Sequence, residues 1–531
     1  MQVRPTDASG TGQDISADIA FAAKGGGTLF AGRLFTWGIR FGIAIMLARL
    51  LGADGYGVYN LALSVASIGA ILPLLGLDSA IVRYTAIFAR RGDWAAVRAN
   101  LRFMLRISLF LSLAVTVSLI ALAEPIAGAL LHDRSLAPLV MISALMVPTL
   151  VLNIQLGSAL RGLRNIGHEV LADQVAQPLI RLALLVALAI LGISVAEALI
   201  AWTIASFAAT ALLVFFLVRT LRHHAAGHGV RLSMGELLRF SAPVFLSNVV
   251  SKSGTQLQTI LLGALSTVSA VGVFAVATNV NLIGSLFHSS LVSASMPLFA
   301  ATQDQKDRSA LERLYQLTSK WSLSLNLPIF LAVVAFPQAL LAVFGPGFAE
   351  TGAVPLMILS AANLVNAGTG MSGAALDMTG HTKLKLLNAA VSVGIGIALN
   401  LILVPWLGLV GAAIAALTVT AGTNLLPLAE VLLLVRMSPY NRSFMKPIAA
   451  GAAALAVTVA VKMLLGGAGE LVVLATGIPV LLVTYGAVLL GLGIDEDDRL
   501  VLRRVRGRFA RSRVHARRQP AAHSEESSRA E

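Results

Sequence analysis

GTLFAGRLFTWGIRFGIAIMLARLLG (residues 27–52) and FSAPVFLSNVVSKSGTQLQTILLG (residues 240–263) are the two stretches from which the fold can be read. Each is long and apolar enough to cross a bilayer as a helix. Each carries one basic residue near its middle, Arg40 in the first and Lys252 in the second. A cation at that depth costs roughly 3 kcal/mol or more, so it turns toward a cavity or a partner rather than lipid. Two such cations at matching places in two halves of one chain predict a central site that receives something negatively charged.

The rest of the chain agrees with a membrane fold. Its 531 residues are 57% hydrophobic and 12% charged, and the mean hydropathy is +0.82. Soluble domains do not have this composition; polytopic helical membrane proteins do. Residues 1–26 are polar and lack the short apolar core of a secretory signal, so they read as a cytoplasmic tail. The absence of cysteine excludes disulfides and thiolate metal sites, and no cofactor is implied.

Hydropathy predicts an all-α integral membrane protein of about fourteen spans: 28–50, 56–80, 103–123, 136–158, 171–192, 196–218, 240–263, 270–298, 321–343, 353–375, 386–405, 409–435, 447–465 and 471–493. Links on one side are rich in Lys and Arg, among them ARRGDWAAVRANLR (89–102), RGLRN (161–165), RTLRHH (219–224) and QKDRSALERLYQLTSK (305–320). The opposite links carry only Arg134. By the positive-inside rule both termini are cytoplasmic. The net charge of +14 thus reflects topology and does not suggest nucleic-acid binding. The C-terminal tail (494–531) holds ten arginines and reads as a basic segment for anionic membrane lipids.

The halves echo each other at an offset near 213 residues. LLGADGYGVYNLA (50–62) resembles LLGALSTVSAVGVFAVA (261–277), with Gly57-Val58-Tyr59 against Gly272-Val273-Phe274. NIGH (165–168) resembles MTGH (378–381), and LGISVAEALIA (191–201) resembles LGLVGAAIAAL (407–417). The pattern predicts a parallel repeat about an axis along the membrane normal, with the site where the halves meet. The N-lobe would be 27–218, the link 219–239, the C-lobe 240–435, and 447–493 an appendage of two further helices.

Polar side chains fall on helical faces that lipid cannot satisfy. Arg33, Thr36 and Arg40 share a face of the first span; Asn248, Lys252, Thr255, Gln256 and Thr259 share one of the seventh. Asn60, Ser64, Ser67 and Asp78 cluster on the second span, and Asn281, Ser285, His288 and Ser295 on the eighth. Arg33 lies near a span end, where a long side chain reaches the interface. Arg181 lies deeper, on a face with Gln174 and Gln177, and either lines the same cavity or pairs with Asp173. His288 is a candidate proton relay, against the commoner reading of a hydrogen-bonded packing residue. Asp78 is either a coupling residue or the local partner of Arg83.

As a set, ARLLGADGYGVYNLALSV (48–65), LLGLDSAIVRYTA (74–86), LRGLRNIGH (160–168), VFGPGF (343–348) and LNLILVPWLGLVGAAIAAL (399–417) resemble the polysaccharide-transporter family, the O-unit-type flippases. These belong to the multidrug/oligosaccharidyl-lipid/polysaccharide (MOP) exporter superfamily. The resemblance covers residues 25–493 in order. It implies two six-helix lobes around a central cavity, in a bacterial cytoplasmic (inner) membrane. It also implies an undecaprenyl-diphosphate-linked oligosaccharide as substrate, for O-antigen, capsule or exopolysaccharide synthesis, and polysaccharide-assembly proteins as partners. Cations on the first and seventh helices would receive the diphosphate.

Three rivals stand beside that reading. A lipid II flippase carries the same diphosphate. A drug or cation antiporter wants cavity carboxylates, and the deep candidates here are Asp78 and Glu430 against Arg40, Lys252 and Arg181. A membrane glycan polymerase or ligase needs acid–base groups outside the membrane, yet the external link 124–135 offers only Glu124, His132, Asp133 and Arg134.

Overall fold

The computed structural model describes residues 11–222, 232–304, 308–465, 469–493 and 495. The predicted basic tail, apart from Asp495, and most of the His-rich link lie outside these residues. Among the described residues there is no strand; the chain is a succession of helices.

The first half comprises α1 (Thr11–Leu74), α2 (Leu77–Arg90), α3 (Trp94–Ala121), α4 (Ala123–Leu130), α5 (Ala137–Ala144), α6 (Val147–Gly162), α7 (Ile166–Glu169), a π-helical segment (Val170–Ala176), α8 (Gln177–Leu191) and α9 (Val195–Arg222). The second comprises α10 (Met234–Leu265), α11 (Val268–Asp304), α12 (Arg308–Ala335), α13 (Pro337–Ala342), α14 (Pro346–Thr369), α15 (Ser372–Met378) and α16 (Thr382–Glu430). Finally α17 (Met445–Leu464) and α18 (Glu470–Gly491) pair with each other and rest on α12 and α13.

Eleven helical stretches among the described residues are long and apolar enough to cross a membrane. Two of them, Phe35–Leu74 and Lys383–Val435, are 40 and 53 residues long. Each is interrupted by one glycine with non-helical backbone, Gly52 in α1 and Gly408 in α16. Both glycines lie where the hydropathy pattern places a link between spans, so the chain turns there at a kink rather than in a loop.

Elsewhere the helices outrun the hydropathy boundaries. α1 is helical from Thr11, inside the predicted tail. α3 starts at Trp94, where the Asp93 side chain accepts from the Ala96 amide at 2.8 Å. Residues 308–320, predicted as link, form the first turns of α12, and Tyr315 is fully buried there against Phe299. Helix propensity and packing against neighbouring segments continue a helix beyond its apolar stretch, which hydropathy cannot register. α10 opens on a capping box, with Ser233 and Glu236 satisfying each other's amides.

The halves meet most tightly between α1 and α11. A Cβ built on Gly57 would lie 2.0 Å from the Val268 carbonyl oxygen, and one on Gly272 would lie 2.0 Å from that of Ala53. Gly57 and Gly272 are separated by the same 215 residues as Ala53 and Val268. The contact is therefore reciprocal, each half presenting the same glycine to the same carbonyl of the other, as a local two-fold axis requires. Arg49 donates to the Val343 carbonyl at 2.8 Å, and His132 meets the Ser266 carbonyl at 2.9 Å near the same end. A second close approach lies at the other end. Gly76, in left-handed backbone (φ 70) between α1 and α2, lies so close to α10 that a Cβ built on it would be 2.5 Å from the Ser241 carbonyl oxygen. There Arg83 stacks its guanidinium 4.7 Å above the Phe240 ring.

The segment after α18 is clipped to the second half. Asp495 accepts from Lys320 of α12 at 2.8 Å and from Lys446 of α17 at 2.6 Å. Partial burial pushes its carboxyl up, but hydrogen bonds from Lys320, Lys446 and Ser443 hold it well below the usual carboxylate range.

Candidate functional site

Arg40 projects from α1 into a cavity of about 470 Å³ bounded by α1, the π-helical segment and α11. Thr36, Trp37, Arg40 and Phe41 form one wall, Asp173 and Gln174 a second, and Asn279, Leu282 and Leu286 a third. The third wall belongs to the other half of the chain, so the cavity lies where the halves meet. Arg40 is exposed to it, Asp173 half-buried. Trp37 and Phe41 stack with ring centroids 4.9 Å apart, and Phe41 meets Phe344 edge-on. Asn279 donates to the Tyr56 hydroxyl at 3.1 Å, joining α11 to α1 beside the cavity.

The second wall has a local cause. Pro178 has no N–H, so the carbonyl of Gln174, four residues earlier, loses its helical donor. The helix widens into a π turn over Val170–Ala176. The freed carbonyl accepts instead from the Thr36 hydroxyl of α1 at 2.5 Å. Arg40 stands one turn along α1 from Thr36. One proline thereby sets the position of Asp173 and Gln174 relative to Arg40.

Arg181 sits behind this wall. It is 9% exposed and donates to the Tyr59 hydroxyl. Its guanidinium lies 4.1 Å from the centroid of Trp202 and 5.7 Å from that of Tyr59. The reading that paired it with Asp173 gives way to a cation held by aromatic faces. It lines neither large cavity, though it lies within electrostatic reach of Arg40. Among the described residues, the charged groups that act on Asp173 are Arg40 and Arg161, and Arg161 pairs with Glu169.

The other candidates are dispersed. Asn248 of α10 approaches Asp78 of α2 at 3.5 Å, at the end where Gly76 meets α10. Gln256 is partly buried in α10 and lines neither cavity, its Oε1 buried without a hydrogen-bond partner among the described residues. His288 turns away toward α12, where its Nδ1 lies 2.7 Å from the Ser322 hydroxyl. The side chains of Arg33 and Lys252 lie outside the described residues. Glu430 accepts from Asn388 at 2.7 Å, both within α16.

Sequence reasoning missed Asp173 and Asn279 as cavity residues, and had Gln174 only as a companion of Arg181 on one helical face. Pro178 was a usable signal for the π turn that carries Asp173 and Gln174. Asn279 falls two residues before Asn281, which serves a different purpose: its amide donates to the Leu359 carbonyl and its oxygen accepts from Asn363, inside the second half.

A second cavity, of about 490 Å³, lies within the second half among α10, α11, α14 and α16. Thr255, Gln258, Thr278, Asn400 and Thr420 give it a largely neutral polar lining, with Lys385 the one charged residue among the described lining residues. Lys385 is paired with Asp377.

Comparison with known proteins places this geometry in context. The family described as Polysaccharide biosynthesis protein matches residues 22–303, and the MatE family matches residues 243–402. The chain is 26% identical over 267 residues to the Probable flippase AglR of Haloferax volcanii, covering 48% of this chain and 54% of that one. It is 24% identical over 391 residues to the Probable low-salt glycan biosynthesis flippase Agl15 of the same organism, covering 73% and 78%. It thus spans about half the length of the first relative and more of the second. The solved structure of a lipid II flippase, MurJ, in an inward closed conformation superposes with a TM-score of 0.67 at 15% identity, covering 88% of this chain and 99% of that one. The shared element is the fold, that of a multi-pass membrane protein built from two helical halves.

Proposed function

The chain belongs to the polysaccharide biosynthesis protein family, and from that premise we propose that it is a flippase for a lipid-linked oligosaccharide. In this reading the glycan crosses between the halves while the lipid tail stays in the bilayer. The diphosphate is received by Arg40, with Lys252 of α10 as second cation. Fourteen crossings, with both termini in the cytoplasm of a bacterial inner membrane, complete the topology.

The observation that carries the reading is Arg40 itself. A guanidinium is costly to hold amid apolar helices, so one exposed in a cavity between two halves marks a site suited to an anionic substrate. Its planar fork suits a phosphate oxygen pair. A drug or cation antiporter would be served better by a cavity with an excess of carboxylates. Asp173 is the single carboxylate among the described lining residues, and it shares the cavity with a cation.

The test is translocation of a fluorescent polyprenyl-diphosphate sugar in proteoliposomes. Arg40→Ala should reduce the rate by at least about 100-fold, the cost of about 3 kcal/mol for a lost charge-assisted contact to the substrate. Arg40→Lys should retain part of the activity. An alanine variant that is correctly inserted and transports at the parental rate refutes the assignment.

A further inference from the structure

Asp173 presents a carboxylate to the cavity whose proposed occupant is an anion, and nothing in the reading so far uses it. Its place is not accidental to a loop. It is carried on the π turn that Pro178 causes and that Thr36 ties to α1, one turn from Arg40. The two side chains line the same cavity, yet among the described residues Arg40 makes no direct ion pair within 4.0 Å. Among the described residues, the charged groups that act on Asp173 are Arg40 on α1 and Arg161 at the end of α6, with Glu169 of α7 set against Arg161 and Arg181 of α8 set against Arg40. Arg161 is engaged by Glu169.

We propose that Asp173 is the resident counter-ion of Arg40, which the substrate diphosphate displaces on entry and which drives the diphosphate off again on release. The inference rests on the flippase reading above and names a residue that sets how tightly that site holds its anion. A transporter gains nothing from a site that binds and does not let go: net rate requires that the bound state not be too deep. With the cavity empty, Asp173 offsets the field of Arg40. With a diphosphate at Arg40, the carboxylate faces like charge, and the bound state is raised in energy. The π turn and its tie to Thr36 fix the backbone that carries Asp173, so the carboxylate belongs to this wall and the repulsion is built into the site. It is a tuning residue and not itself a ligand.

The experiment uses the full chain purified in detergent, with farnesyl diphosphate as probe and farnesol as control. Binding is measured by calorimetry on the parent, Asp173→Asn and Asp173→Glu. Asparagine keeps the shape and removes the charge, so affinity should rise about tenfold, a modest share of the Coulomb energy between nearby charges in a partly screened site. Glutamate should stay within about threefold of the parent. In proteoliposomes the asparagine variant should turn over more slowly at saturating substrate, because release has become harder. Equal or weaker binding by a folded Asp173→Asn protein overturns the inference, as does an equal gain in the glutamate variant, which would make side-chain size and not charge the cause. If the parent binds farnesyl diphosphate no better than farnesol, the flippase reading falls and this inference with it. If the parent binds and the asparagine variant does not tighten, only this inference falls.

Discussion

Replacing Gly57 or Gly272 with alanine tests the reciprocal contact that joins the halves. The new Cβ would lie 2.0 Å from a backbone carbonyl oxygen, that of Val268 in one case and of Ala53 in the other. An ordinary carbon–oxygen approach is about 3.3 Å, so α1 and α11 must part locally by about 1.3 Å. Neither obstacle is a flexible side chain that can swing aside. A gap of that size forfeits about half of the dispersion energy of the flanking contacts. Overpacking of this kind costs about 1–3 kcal/mol, and we expect about 2 kcal/mol for each single substitution. The two-fold relation makes a sharper claim. One separation of the helices accommodates both new methyl groups, so the double variant should cost about 2–3 kcal/mol rather than the sum of about 4 kcal/mol. The assay is a double-mutant cycle on unfolding of the purified protein in mixed micelles, followed by tryptophan fluorescence. Strict additivity would show that the two glycines do not share one contact. No loss of stability in either single variant would show that the helices are not in van der Waals contact there.

Two further outcomes follow from the geometry. His288→Gln should leave both the rate and the pH dependence of transport as in the parent, because the ring joins α11 to Ser322 of α12 and lies away from the cavity; a normal rate with altered pH dependence in a proteoliposome assay would restore it as a proton relay. Asp495→Asn should cost about 2 kcal/mol, since Lys320, itself 6% exposed, loses an ionic hydrogen bond. The carboxyl is held below its ordinary value, so this contribution is complete above about pH 4 and is lost as pH falls through the lower native value. The parent should therefore lose stability on that acid limb more steeply than the variant, read as midpoint against pH, and parallel curves would exclude the clip.

Composition alone was enough to establish a helical membrane protein, because burying so much apolar sequence in water has no stable solution and each span is a local property of about 20 residues. The internal repeat was legible for a related reason. A glycine that allows two backbones to touch leaves a mark in sequence, and Gly57 and Gly272 stood in matching phrases before their contact was seen. Arg40 was legible because the cost of a cation in an apolar helix is also local. What tertiary structure decided is which polar groups share a space. Arg181, Gln256 and His288 all lie on plausible polar faces, yet helix rotation and packing give Arg181 to aromatic rings, bury Gln256 away from either cavity and turn His288 to a neighbouring helix. Asp173 and Asn279 reach the cavity although neither stood out in a periodic pattern. Asp173 arrives there because Pro178 widens the preceding turn and Thr36 captures the freed carbonyl. A helical projection drawn at constant pitch cannot represent that step, since the bond that completes it spans 138 residues of sequence.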